Sequence, residues 1–311
     1  MAGQGSKKVI IAALAGNTMI AVTKFAAAAV TGSSAMFSEG IHSAVDTGNQ
    51  ALLLYGLKRA ARPPDDCHPF GYSREIYFWA FVVAILVFAV GSGVSFYEGI
   101  AKLQDPHPVS DAYVNYIVLA VAMAFEAGAW WVAYREFSAT KGRHGLLQAI
   151  RISKDPSIFT VLLEDTAAML GLVVAFAGIL LGQLLDMPAL DGAASVAIGG
   201  ILAATAVLLA YETKGLLIGE AADPVLTERL KGIARSHKAV FRINELLTLH
   251  QGPEDLLVTV SVDFHPHLSA DDVEAAISEL EKRMKQADSA VRRVFVEAQS
   301  WRAHQAAARN A

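Results

Sequence analysis

Six long apolar runs separated by short polar stretches occupy the first part of the chain, at roughly 9–30, 34–57, 76–101, 112–134, 156–184 and 189–213. Each is long enough to span a membrane as a helix, which takes about 20 predominantly apolar residues. Lys7 and Lys8 ahead of the first run give it the look of a signal peptide, but its length, through Val30, predicts a first span. Thr31-Gly32-Ser33-Ser34 links the first two runs and is too short for anything but an antiparallel helical hairpin. Past Gly219-Glu220-Ala221-Ala222-Asp223-Pro224 the pattern becomes that of a water-exposed domain. Asp223 and Pro224 start a helix running to Ser236. Phe241–His250 and Leu256–Phe264 read as strands, the second with Val258, Val260, Val262 and Phe264 alternating with polar residues. Ser269 and Asp272 signal a further helix, with Val273, Ile277, Leu280 and Met284 on one face, and Val291–Glu297 is a third strand.

These elements predict a membrane α-helical protein: a six-helix transmembrane bundle over 1–218, then a cytoplasmic α+β domain of order αββαβ, ferredoxin-like, over 219–300. The tail, 301–311, reads as frayed. Composition agrees, with 54% hydrophobic and 18% charged residues against about 25% charged in soluble domains. The net charge of -4 gives no sign of a nucleic-acid partner, and the lone Cys67 allows no intrachain disulfide. Basic residues set the orientation. Lys7, Lys8, Lys58, Arg59, Arg62, Arg74, Arg135, Lys141, Arg143, Arg151, Lys154 and Lys214 flank one side, with Lys102 alone on the other, which predicts both termini in the cytoplasm. Small residues in the spans, among them Gly91, Gly93, Gly178, Gly182, Gly199 and Gly200, suit close helix contacts.

The chemistry sits where polar residues interrupt the apolar pattern. In the second span His42 and Asp46 are four apart and share a helix face, which Asn49 extends; in the fifth, Glu164 and Asp165 lie deep in the run. A carboxylate near the bilayer centre costs about 2.5–3.5 kcal/mol on insertion scales. The two helices are therefore expected to face each other and to share a divalent cation held by His42, Asp46 and Asp165. The plainer alternative is that these groups hydrogen-bond the helices together. Ligands cluster whereas such glue residues scatter, which favours the metal.

Three stretches, GSSAMFSEGIHSAVDTGNQ, HPFGYSREIYFWA and LLEDTAAMLG, together with six spans and an αββαβ domain, resemble the cation diffusion facilitator family, and with LLIGEAAD its zinc transporter nine-like branch. The resemblance implies a homodimeric transporter in the lipid bilayer that exports a divalent metal, commonly zinc, against protons, in a bacterial inner membrane or an organelle, with no organic cofactor. It also implies two ligands from the second span and two from the fifth, each pair four apart. His42, Asp46 and Asp165 match that pattern, but Val161 stands where the fourth ligand belongs. Glu164, Asn49 or water fills the gap, although Glu164 points about 100° round the helix from Asp165, and Glu164 is alternatively a proton carrier.

The same resemblance suggests two lesser metal sites, each beside a plainer reading that weighs more: a tight loop in which His68 bonds to backbone, and solvent-exposed histidines in the αββαβ unit. Asp65, Cys67 and His68 lie in the loop after the second span, with Tyr72 in place of a second His. In the αββαβ unit His250, His265 and His267 are candidates, while Ser261 stands where relatives carry a strand His. The 139–154 loop has only His144, so it lacks a His-rich insert. The metal itself is left open by one His among carboxylates, which suits zinc, iron(II), cobalt or manganese. Other classes fit less well. An intramembrane metalloprotease or serine hydrolase would need His-Glu-x-x-His or Gly-x-Ser-x-Gly, which the sequence lacks, so no enzyme is expected. A membrane-anchored metal sensor or scaffold would not need six spans with buried ligands.

Overall fold

A computed structural model describes residues 2–140 and 145–310. Lys141, Arg143 and His144 lie outside the described residues. The chain divides into two compact units, one comprising 1–61 and 75–214, the other 62–74 and 215–311. The boundary therefore differs from the one expected at 218: the loop 62–74 groups with the second unit, for reasons its hydrogen bonds make plain below.

The first unit contains α1 (Ala2–Thr31), α2 (Ser34–Ala60), α3 (Glu75–Leu86), α4 (Gly93–Gln104), α5 (Ala112–Thr140), α6 (Leu146–Ile152), α7 (Pro156–Leu184) and all but the last four residues of α8 (Ala189–Ile218). A π-helical turn, Val87–Ser92, joins α3 to α4, so together they occupy the third span. Four stretches are long and apolar enough to cross a membrane: Glu75–Gln104, Ala112–Arg135, Phe159–Leu184 and Ala189–Ile218. Among the described residues α1 and α2 do not meet that criterion. For α2 the cause is its composition, because Ser38, Glu39, His42, Ser43, Asp46, Asn49 and Gln50 are all buried inside the bundle. Large apolar side chains point outward instead, as with Tyr113, Ile117, Val121 and Phe125, which recur every fourth residue along α5. That inside-out distribution suits a lipid surround.

The α1–α2 hairpin forms as its linker predicts. Gly32 adopts a left-handed φ of 68°, which ends α1 without the steric cost a side chain would carry. Ser33 caps α2, its hydroxyl accepting from the Met36 N–H at 3.1 Å. The buried Asp191 of α8 completes this end: Ser33 Oγ donates to it at 2.6 Å, and the Ser34 N–H and hydroxyl at 2.7 and 3.1 Å. Close helix contacts occur at Gly178 against Ala194 and Gly199 against Phe96, whereas Gly200 faces open space.

The second unit carries α9 (Pro224–Arg235), β1 (Val240–Gly252), β2 (Asp255–Phe264), α10 (Ala270–Ala287), β3 (Val291–Ala298) and α11 (Trp301–Asn310). The sheet runs β1-β2-β3, with β1 antiparallel and β3 parallel to β2. The parallel pairing follows from the α10 crossover, whose start is the expected capping box of Ser269 and Asp272. Leu256, Val258, Val260 and Val262 form the core with Leu230, Leu280 and Met284. The expectation of a frayed tail is corrected. The chain is helical over Trp301–Asn310 because the Trp301 N–H donates to Asp263 Oδ2 at 3.1 Å and the indole stacks with Arg242, 4.9 Å away.

Asp191→Ala removes the acceptor for three donors at the α2 N-terminus. It is expected to lower stability by about 1–3 kcal/mol, read as a fall in thermal midpoint in detergent, whereas Ser34→Ala, which spares the other two bonds, costs less.

Candidate metal centre

The α2 polar face is brought to the bundle centre by a close approach to α1. A Cβ on Gly40 would lie 2.9 Å from the Phe25 ring, so glycine here lets the two helices meet. His42 is 1% exposed and Asp46 6%, with His42 Nδ1 3.6 Å from Asp46 Oδ1, as one helical turn dictates. Asn49, fully buried one turn on, donates from Nδ2 to Glu164 Oε1 at 2.6 Å.

Glu164 and Asp165 ride on α7, which starts with Pro156 after an Asp155 cap accepting from the Ser157 N–H. Both are buried. Their directions differ, as adjacent positions on a helix require: Glu164 reaches α2 through Asn49, and Asp165 lies within electrostatic reach of Glu126 on α5. Asp46 in turn feels Glu164, Glu126 and Asp165. Both nitrogens of His42, Asp46 Oδ1, Asn49 Oδ1 and Asp165 Oδ2 have no hydrogen-bond partner among the described residues. A cluster of unpaired buried polar atoms is costly, and its chemistry, imidazole with carboxylate oxygens, suits a divalent cation. In this arrangement no three His, Cys, Asp or Glu side chains among the described residues converge tightly enough to hold an ion. The donors of α2 and α7 are instead joined through the Asn49–Glu164 bond.

Three ionisable residues around this cluster escaped the sequence reading. Lys24 of α1 is fully buried and donates to Glu39 Oε2 at 3.0 Å and to Ser43 Oγ at 2.8 Å. Glu126 of α5 is 3% exposed. Lys24 and Glu126 each stand alone inside an apolar run, so the criterion that singled out Asp165 would have found both had it been applied to the first and fourth spans, whereas Glu39 lies just before His42 in α2.

The other candidates fare differently. In the 62–74 loop Asp65 accepts from the Cys67 and His68 N–H groups at 3.1 and 2.7 Å and from the Tyr72 hydroxyl at 2.6 Å. The Tyr72 bond, followed by that from His68, holds the exposed Asp65 carboxyl below the usual carboxylate range. The His68 ring packs on Tyr72 at 4.3 Å, tilted by 35°, and Cys67 is exposed. Farther along, Ser73 Oγ donates to Asp255 Oδ2 at 3.1 Å and Arg293 to the Phe70 carbonyl at 3.1 Å, which fastens this loop to the sheet. Tyr72 thus organises this turn through Asp65. In the second unit His250 pairs with Leu256 beside the β1–β2 turn, while His265 and His267 follow Phe264 at the opposite end of the hairpin. The three do not come together. Ser261 is buried and accepts from Asn244 at 3.2 Å.

A family profile described as "Cation efflux transmembrane domain" matches residues 10–218. The chain is 33% identical over 285 residues, 89% of its length and 51% of the relative's, to the mitochondrial proton-coupled zinc antiporter SLC30A9 of Xenopus laevis. It is 28% identical to metal tolerance protein C4 of Arabidopsis thaliana, over 84% of this chain and 58% of that one. It is also 28% identical to the manganese efflux system protein MneP of Bacillus subtilis, over 84% of this chain and 85% of that one. The chain therefore spans about half the length of the SLC30A9 relatives it matches.

Because Asp65 is engaged by Tyr72 and by two backbone N–H groups, the loop is expected to bind no zinc. Maleimide labelling of Cys67 in the full chain should proceed at the same rate with and without saturating zinc, and strong protection by zinc would establish a metal site there.

Proposed function

The chain belongs to the cation efflux family, and from that premise we propose that it exports a divalent transition metal from the cytoplasm in exchange for protons, with zinc the favoured cargo. The observation that carries the reading is the buried donor set on facing helices: His42, Asp46 and Asn49 on α2, Glu164 and Asp165 on α7. To bind metal, His42 must be neutral and the carboxylates ionised, so metal and protons compete for one site. Loading requires the α2 and α7 donors to draw together around the ion, with Glu164 exchanging its Asn49 partner for metal or for a proton. Rocking of helices around a central site then exposes it to each side in turn. The termini and the αββαβ unit are placed in the cytoplasm on the distribution of basic residues.

Manganese is the second reading, favoured by the oxygen-rich donors and by the MneP relative, which matches over most of its own length. The test is flux through the full chain in vesicles, with zinc, manganese, iron(II) and cobalt under an imposed pH gradient. Uptake driven by protons on the opposite face is expected, greatest for zinc. Binding without flux would mark a sensor or scaffold, and preference for manganese would select the second reading.

Asp46→Ala and Asp165→Ala should each reduce flux to background while leaving the fold intact, since removing a buried carboxylate relieves a desolvation cost. Wild-type flux in either would displace the site. For Glu164, loss of zinc affinity in Glu164→Gln marks a ligand, whereas retained affinity with a flat pH profile marks a proton carrier. Val161→His combined with Glu164→Ala should restore transport if four protein ligands suffice.

Pairing into a homodimer is proposed through the sheet of the second unit, where Leu247, Thr259 and Phe295 lie in one cross-strand row and Leu247 and Phe295 are more than half exposed. A dimer mass in mild detergent with chelator is expected, and a monomer at micromolar protein would contradict it.

A further inference from the structure

The buried Lys24–Glu39 pair lies outside the donor set and is not used by the mechanism above. Lys24 comes from α1, and its ammonium is fully enclosed, 3.0 Å from Glu39 Oε2 and 2.8 Å from Ser43 Oγ. Glu39 Oε1 has no hydrogen-bond partner among the described residues. It projects toward Gly171 of α7, where even a Cβ would collide with it. The last residue of the LLEDTAAMLG motif thus makes room for a carboxylate from α2.

The pair is wedged among α1, α2 and α7, and its field extends into the candidate metal centre. Lys24 acts electrostatically on His42, Asp46 and Glu126. The carboxylates it acts on are those of Glu39 and Asp46 on α2 and Glu126 on α5, and Asp46 in turn feels Glu164 and Asp165 on α7; all are buried. A buried ion pair rarely adds stability over well-packed apolar residues of the same volume, so holding two helices together is a weak reason for one here. Long-range charge offers a stronger one, because the interior screens little and a divalent ion in a given potential changes its energy by twice as much as a proton does.

We propose that Lys24 is a positioning residue: its ammonium, held off the ligands by Glu39 and Ser43, weakens the hold of the acidic cluster on a divalent cation and so allows release. Glu39 is the counter-charge that keeps this effect in measure. The inference rests on the transport reading and deepens it.

The two residues should then act on affinity with opposite signs. Zinc affinity of the full chain, measured by calorimetry at fixed pH, is expected to tighten by roughly tenfold or more in Lys24→Met, with lower maximal flux because release slows. In Glu39→Gln it should loosen by a similar factor. The double variant Lys24→Met/Glu39→Gln removes both charges in near-isosteric form and should return close to wild-type affinity, and Lys24→Arg should retain it. A purely structural staple predicts something else: both single variants shift in the same direction or not at all, and the double is no better than either. That pattern overturns the proposal. Should Lys24→Met fail to fold, Glu39→Gln and the double variant still decide it, since an unloosened Glu39→Gln contradicts the charge role. If the wild-type chain binds no divalent metal, the transport reading itself fails and the inference falls with it. Wild-type binding with variants that do not diverge sinks the inference alone.

Discussion

A carboxylate taken away from water has to be protonated, paired or bound to a cation, and the bundle of this chain buries at least five of them together. Glu39, Asp46, Glu126, Glu164 and Asp165 come from three helices, and the one basic side chain hydrogen-bonded within this group among the described residues is Lys24. Much of the architecture follows from that requirement. Gly40 lets α1 approach α2, which delivers Lys24 to Glu39. Gly171 leaves room for the other Glu39 oxygen, and Asn49 crosses from α2 to hold Glu164. Apolar side chains are turned outward in exchange, so the surface rather than the core carries the large hydrophobes of α5.

The same constraint links the structure to the transport proposed for it. An excess of buried negative charge without a full set of hydrogen-bond partners gives a standing affinity for cations, and both protons and divalent metals satisfy it. An exchanger needs that competition. It also needs the cluster not to bind metal too well, because an ion that cannot leave is not transported. A resident ammonium near the ligands meets that need without occupying a coordination position.

The helical spans and the αββαβ order were legible because both rest on periodicity: long apolar runs in one half, alternation in β2 and a capping box at Ser269 in the other. His42, Asp46 and Asp165 were legible because ionisable groups in apolar runs are rare. Three features were not. The pairing of Glu164 with Asn49 depends on how α2 and α7 face each other, which spacing along either helix does not determine. The grouping of the 62–74 loop with the sheet depends on Asp255 and Arg293, 182 residues from Ser73 and 223 from Phe70 in the chain. The helix at Trp301 depends on Asp263 and Arg242 in the sheet, so its local composition alone reads as a tail.

The central claim is that α2 and α7 share one cation through one imidazole and carboxylate oxygens. Zinc-edge X-ray absorption on the purified full chain loaded with one equivalent of zinc reports that shell directly. The account predicts a single nitrogen from His42 at about 2.0–2.1 Å with the remaining donors oxygen at about 2.0–2.2 Å, and loss of the bound ion in the Asp46→Ala/Asp165→Ala double variant. A shell containing sulfur or several imidazoles, or one unchanged in that double variant, would place the metal elsewhere and contradict it.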